Sequence, residues 1–146
     1  ELPRLLAEAR DGGCVVAAIV DVDHFKRIND RFSHAVGDQV LRRLGARLAA
    51  TARRGFAARL GGEEFLVLQA AATPLDAMAS LERLRTDVQS QDWGDVEAAL
   101  SVTISIGVAV ASVTDTRASL LTRADEHLYR AKQDGRNRIV ADPVSG

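Results

Sequence analysis

The chain has 146 residues, of which 47% are apolar and 27% charged, enough for one domain with a real buried core. Its formal net charge of −1 argues against wholesale binding to DNA, which favours a basic stripe. No apolar run approaches the ~20 residues that span a bilayer, and Glu1-Leu2-Pro3-Arg4 lacks the basic-then-apolar order of a signal peptide. A cytoplasmic location with no membrane contact by this segment is expected.

Glu1 to Arg10 has helical spacing, and Asp11-Gly12-Gly13 breaks it. Cys14 to Val20 is a continuous apolar run, the pattern of a strand buried on both faces. The sole cysteine, Cys14, cannot form an internal disulfide and is read as a buried core thiol. Acids first appear where the run ends, at Asp21 and Asp23. From about Asn29 a long helical stretch carries Phe32, Val36, Val40, Leu41, Leu44 and Leu48, with Gly37 as a point of interruption. Phe56–Leu60 and Phe65–Leu68 flank Gly61-Gly62 and read as a hairpin, since both glycines accept positive φ. Thr73 and Pro74 open a helix whose core face would carry Leu75, Met78, Leu81, Leu84 and Val88. Val102–Val110 is a strand, Arg117–Lys132 a helix with Asp115 or Thr116 as cap, Gly135 a stop, and Arg138–Ala141 a last strand. After the first helix the order is βααββαβαβ, which argues for an α/β fold around a central sheet flanked by helices.

Asp21 and Asp23 are expected on opposite faces of the strand end, so that at most one joins a given site. Glu63 and Glu64 follow the glycine turn, which leaves open space above it. Set beside Asp21, they would form a hard-oxygen site suited to Mg²⁺ or Mn²⁺; the alternative is a pair of solvated turn acids. His34 and Asp38 share a helix face, with Asn29 near the helix start. A carboxylate and an amide could read a guanine edge, or Asn29 could be a cap and Asp38 a plain surface acid. Arg130, Lys132, Arg136 and Arg138 cluster at the end of the last helix. They either complement the helix dipole or, through Lys132 and Arg136, hold a polyphosphate.

Taken together, these residues resemble one family. Asp21-Val22-Asp23-His24-Phe25-Lys26 with Asn29-Asp30 is similar to the D-x-D-x-F-K-x-x-N-D stretch of GGDEF domains, the diguanylate cyclases. His34 with Gly37-Asp38 resembles the G-H-x-x-G-D element, and Gly61-Gly62-Glu63-Glu64-Phe65 is a GGEEF form of the signature. Ser105-Ile106-Gly107 resembles the S-I-G strand. Ala124-Asp125, Leu128-Tyr129-Arg130-Ala131-Lys132 and Gly135-Arg136-Asn137 resemble the A-D-x-x-L-Y-x-A-K-x-x-G-x-N ending.

The resemblance implies a mixed sheet of the nucleotidyl-cyclase or polymerase-palm kind. It implies condensation of two GTP into cyclic di-GMP and two pyrophosphates across a homodimer. The Asp21 carboxylate, the Val22 carbonyl, Glu63 and Glu64 would hold two Mg²⁺ or Mn²⁺ ions per half-site, and Glu63 would help to deprotonate the attacking 3′-hydroxyl. Backbone amides of His24, Phe25 and Lys26 would meet the phosphates, with Gly61 and Gly62 beside the substrate. Asn29 and Asp38 would read guanine next to His34, and Lys132 and Arg136 would bind the terminal phosphates. These roles agree with phosphoryl-transfer physics, in which positioning and charge neutralisation dominate.

Three departures matter. Ser33 stands where the family usually has glycine, a small-for-small change of little expected harm. The usual L-T-G-L-x-N-R-R opening is absent, so the single GGDEF domain over residues 1–146 is expected to come from a longer chain with an N-terminal regulatory part. Ala52 and Gly55 replace the R-x-x-D pair of the usual inhibitory site, with Arg53 and Arg54 out of register. The competing expectation is a non-catalytic GTP or cyclic di-GMP binding module, which normally shows a broken signature.

Overall fold

The computed structural model describes residues 2–8, 12–52 and 54–143. In chain order the elements are α1 (Leu2–Glu8), β1 (Cys14–Val22), α2 (Phe25–Arg31), α3 (His34–Thr51), β2 (Gly55–Gly61), β3 (Glu64–Ala71), α4 (Pro74–Ser90), β4 (Ile104–Val110), α5 (Arg117–Gln133) and β5 (Ile139–Ala141). The expected order is observed. The strands form one mixed sheet, β2-β3-β1-β4-β5. Every neighbouring pair is antiparallel except β4 with β5.

β1 is the central strand, which is why its sequence is apolar on both faces. Val16, Ala18, Val20 and Val22 pack with Val40, Leu44 and Leu48 of α3 and Leu81, Leu84 and Val88 of α4. Val15, Ala17 and Ile19 pack with Leu2 and Leu5 of α1 and Leu120, Ala124 and Leu128 of α5. Each fully buried leucine stabilises the fold by ~1.5–3 kcal/mol. Gly107 on β4 sets the depth of α5: a Cβ there would lie 2.2 Å from both Ala124 O and Leu128 N. The backbone of α5 therefore rests directly on the strand, and its last turn overhangs the end of β1.

Several local expectations need correction. The long helical stretch breaks at Phe32-Ser33 and not at Gly37, which is buried inside α3. Ser33 is the N-cap of α3, its Oγ accepting from Val36 N at 3.1 Å, so the serine supplies a cap that glycine lacks. Asn29 lies inside α2, whose N-cap is His24. Leu75 is 65% exposed because Ala77, Leu81, Leu84 and Val88 make the buried stripe of α4. Cys14 is only half-buried, at the mouth of β1, and burial with the nearby Asp76 raises its thiol pKa.

The capping predictions fare better. Thr73 Oγ1 accepts from Asp76 N at 3.1 Å. Thr116, not Asp115, caps α5, in a reciprocal box with Ser119. Gly135, at φ 123°, follows the end of α5 as a stop.

Candidate active site

The antiparallel register brings Asp21 level with Glu64 on β3 and Ser105 on β4. The Asp21 side chain is 4% exposed, and its Oδ2 accepts from Lys132 Nζ at 2.6 Å. Burial is the main cause that pushes its carboxyl up to about 6. Lys132 opposes that rise, while the negative charges of Glu63 and Glu64 add to it. Three acids thus crowd one strand end around a single lysine contact.

The hairpin carrying Glu63 and Glu64 is lashed to β1, with Val22 N donating to Glu63 O at 3.3 Å. Arg59 Nε braces the turn through Gly62 O at 2.9 Å. Gly61 and Gly62 have φ of 152° and 50°, and no atom stands within 4 Å of where their Cβ atoms would be. The turn needs glycine for its backbone, and its roof is open.

Opposite the hairpin, His24 adopts φ 53° and starts α2. The first amides of a helix have no intrahelical acceptor, so the His24-Phe25-Lys26 turn can offer donors to an anion. A cleft of about 190 Å³ is lined by Asp21, Val22, His24, Phe25, Lys26, Glu63, Lys132 and Arg136, together with Asp23. The expected ligand, phosphate-turn and cation residues therefore converge. Glu64 adjoins them through its register with Asp21 without lining the cleft.

The expected base-reading residues lie to one side. A Cβ on Gly37 would fall 1.9 Å from Asn29 Oδ1, so the absence of a side chain makes room for the amide. That Oδ1 is buried and has no protein partner, an acceptor waiting for a donor. Asp38 follows Gly37, is exposed, and lines a separate cleft of about 370 Å³ with Leu41, Arg42, Gly45, Arg59 and Phe65. His34 is exposed at the start of α3.

Asp23 corrects the sequence reading on one point. Residues two apart in a strand share a face, so opposite faces were never required. Both carboxylates meet the α5 side of the sheet: Asp21 reaches Lys132, while Asp23 accepts from Ser105 Oγ at 2.6 Å, Thr103 Oγ1 at 2.7 Å and Asn137 N at 3.0 Å. Asp23 also lines the cleft, with its two oxygens engaged by three protein donors. Thr103, just before β4, and Ser105 on it, two hydroxyls two residues apart, are the sequence signal that could have found this.

The carboxylates of Asp21 and Glu63 and the Val22 carbonyl put hard oxygen donors on one wall of the cleft, with Lys132 and Arg136 on its lining as cations, and such oxygens suit a hard cation. Among the described residues no three His, Cys, Asp or Glu side chains form a ready-made metal cage. Mg²⁺ is commonly held by one or two carboxylates plus substrate phosphates, and an open set of Asp21, Val22 O, Glu63 and Glu64 fits that mode. A larger cavity of about 600 Å³, between α3, β3 and α4 and including Arg47, Gln69 and Arg83, contains none of the expected catalytic or substrate-binding residues.

This combination, a mixed sheet with carboxylates at the end of its central strand and cations facing them, defines a nucleotidyl-cyclase type of domain. The chain belongs to the family described as diguanylate cyclase, GGDEF domain, which matches residues 1–138. It is 43% identical over 145 residues to the response regulator PleD of Caulobacter vibrioides, covering 96% of this chain and 32% of that protein. It is 41% identical over 131 residues to diguanylate cyclase DgcP of Pseudomonas aeruginosa, covering 89% of this chain and 20% of that protein. The chain thus spans a third or less of these relatives. Among solved structures it is similar to the active GGEEF domain of a diguanylate cyclase from Vibrio cholerae, with TM-score 0.84, 29% identity and coverage of 97% and 92%. It is also similar to the GGDEF domain of DgcB from Caulobacter crescentus in complex with c-di-GMP, with TM-score 0.80, 36% identity and coverage of 94% and 84%. Among the described residues no helix is long and apolar enough to cross a membrane.

Proposed function

We propose that this domain is an active diguanylate cyclase that condenses two GTP into cyclic di-GMP and two pyrophosphates. The observation that carries the reading is the strand-end group. Asp21 is buried and pushed up to about 6 beside Glu63 and Glu64, under an open glycine turn and against Lys132. One lysine for three clustered acids leaves an excess of negative charge that a bound cation would offset, and acids perturbed in this way gather at functional sites.

Asp21, the Val22 carbonyl, Glu63 and Glu64 would hold two divalent ions, Mg²⁺ or Mn²⁺. When bound, these ions supply neutralisation of phosphate charge and activation of the attacking hydroxyl. The chain's own residues do the rest. Lys132 and Arg136 bind the terminal phosphates by charge-assisted hydrogen bonds. Amides of the His24-Phe25-Lys26 turn meet the phosphates, with Gly61 and Gly62 letting them approach closely. Glu63 takes the proton from the 3′-hydroxyl. Asn29 and Asp38 read guanine beside His34.

The cleft is a half-site: one holds one GTP, and two protomers face each other so that each 3′-hydroxyl attacks the other's α-phosphate. A cytoplasmic setting, where GTP is available, goes with this reading, as does a regulatory segment elsewhere in a longer protein. The usual inhibitory pair is absent at Ala52 and Gly55, and the backbone supports that absence. A Cβ at residue 55 would stand 1.7 Å from Leu68 O, so this strand pairing has no room for an aspartate there. The deciding experiment is product analysis from GTP and Mg²⁺ with the domain tethered as a dimer. Cyclic di-GMP is expected; GTP binding without product would replace the enzyme by a binding module.

A further inference from the structure

Beyond α5 the chain takes a costly path. Gly135, Arg136 and Asn137 have φ of 123°, 63° and 47° in succession. A left-handed residue that is not glycine is strained, and such strain persists only where the surroundings impose it. Arg136 N donates to Ala131 O at 2.9 Å, closing the helix end. The other restraints converge on Asn137. Its N–H donates to the buried Asp23 at 3.0 Å. Its side-chain Oδ1 and backbone O both accept from Arg85 Nη1, at 2.8 and 3.3 Å. Arg85 belongs to α4 and is fixed in turn by Glu82 and by Gln89 at 3.3 Å.

We infer that Asp23 and Arg85 are positioning residues for the phosphate grip. They clasp Asn137 from two sides and so hold Arg136, one residue earlier, aimed into the cleft. The inference rests on the proposed role of Arg136 in binding the terminal phosphates. It assigns work to an α4 arginine that does not line the cleft, and to an aspartate whose oxygens are spent on protein donors. Asp23 offers the loop a fixed acceptor because Thr103 and Ser105 lock its carboxylate. Arg85 offers a planar fork whose position is set before the loop meets it.

The test compares binding of a non-hydrolysable GTP analogue with binding of GMP, by calorimetry, in wild type, Arg85→Met, Arg136→Ala and the double variant. Loss of a charge-assisted contact predicts about tenfold weaker analogue binding in Arg136→Ala, with GMP unchanged. Arg85→Met should reproduce much of that loss, again sparing GMP, and should add nothing in the Arg136→Ala background. Asn137→Ala, which removes the gripped carboxamide, provides a second route if Arg85→Met folds poorly, and should show the same selective loss. If Arg136→Ala weakens the analogue but neither Arg85→Met nor Asn137→Ala does so selectively, the positioning role is overturned. If Arg136→Ala itself has no effect, the phosphate-binding reading of Arg136 fails and this inference falls with it.

Discussion

Lys132 Nζ lies 2.6 Å from Asp21 Oδ2, joining the last turn of α5 to the end of the central strand. In the absence of nucleotide the lysine supplies the positive charge that the buried acid lacks. Under the proposed function Lys132 would exchange Asp21 for a terminal phosphate of the nucleotide.

Asp21→Ala and Glu64→Ala should abolish turnover while leaving the fold intact. Neither side chain belongs to the two apolar clusters, so truncation opens no apolar cavity. Turnover at wild-type rates in either variant, with metal present, would overturn the ligand assignment.

The Asp21 shift also predicts a pH-dependent stability. Its folded value, about 6, lies above the ordinary 3.8, so between those values the folded state binds more protons than the unfolded one. Stability from this group therefore falls as pH rises through that window and stays low above it. Asp21→Asn should stabilise the metal-free domain by ~1–3 kcal/mol above the window, with no gain below it. Urea unfolding at about pH 4 and about pH 8 measures the difference; a constant difference would refute the account.

Gly37→Ala should weaken GTP binding without touching a ligand. The new methyl would fall 1.9 Å from Asn29 Oδ1, and the amide must move. A stability loss of ~1–3 kcal/mol should accompany the change. The wild type should prefer GTP to ATP in calorimetry, because adenine leaves the guanine-reading acceptors unpaired. Equal affinities would reduce Asp38 to a surface acid.

Specific activity of the free domain should rise with protein concentration until dimers saturate, and forced dimerisation should raise it further. A concentration-independent rate in a proven monomer contradicts the half-site arrangement.

Product should inhibit by competing with GTP at the cleft. Asp38→Ala should weaken cyclic di-GMP binding, whereas Arg54→Ala should leave inhibition nearly unchanged; Arg53 lies outside the described residues. Gly55→Asp should destabilise β2 and not create a new inhibitory site, given the contact at Leu68 O. Non-competitive inhibition that vanishes with Arg54 would reveal a separate site.

Much of this was legible in the sequence because it is written in local patterns. The two-faced apolar run of β1, the glycine turn and the Thr73 and Thr116 caps are each set by a few neighbouring residues. The break before His34 is hidden because Ser33 fits the sequence as a small replacement for glycine as readily as it fits a cap. Leu75 escapes the pattern because several registers fit the α4 stripe, and only packing against the sheet selects Ala77 over Leu75. The clasp of Asp23, Arg85 and Asn137 joins the turn after β1, α4 and the loop after α5, and no pattern along the chain records such a meeting.

Gly107 carries a consequence for how sequence variants of this domain should be sorted. It touches no expected ligand and lies under α5, so a survey that scores only distance from the cleft would file it as ordinary interior. Yet a single methyl there must lift the helix, and Lys132 and the Arg136 loop ride on that helix. Gly107→Ala should therefore lose stability and also misalign the phosphate-binding end of α5, a double defect that cleft-centred mutagenesis would not look for.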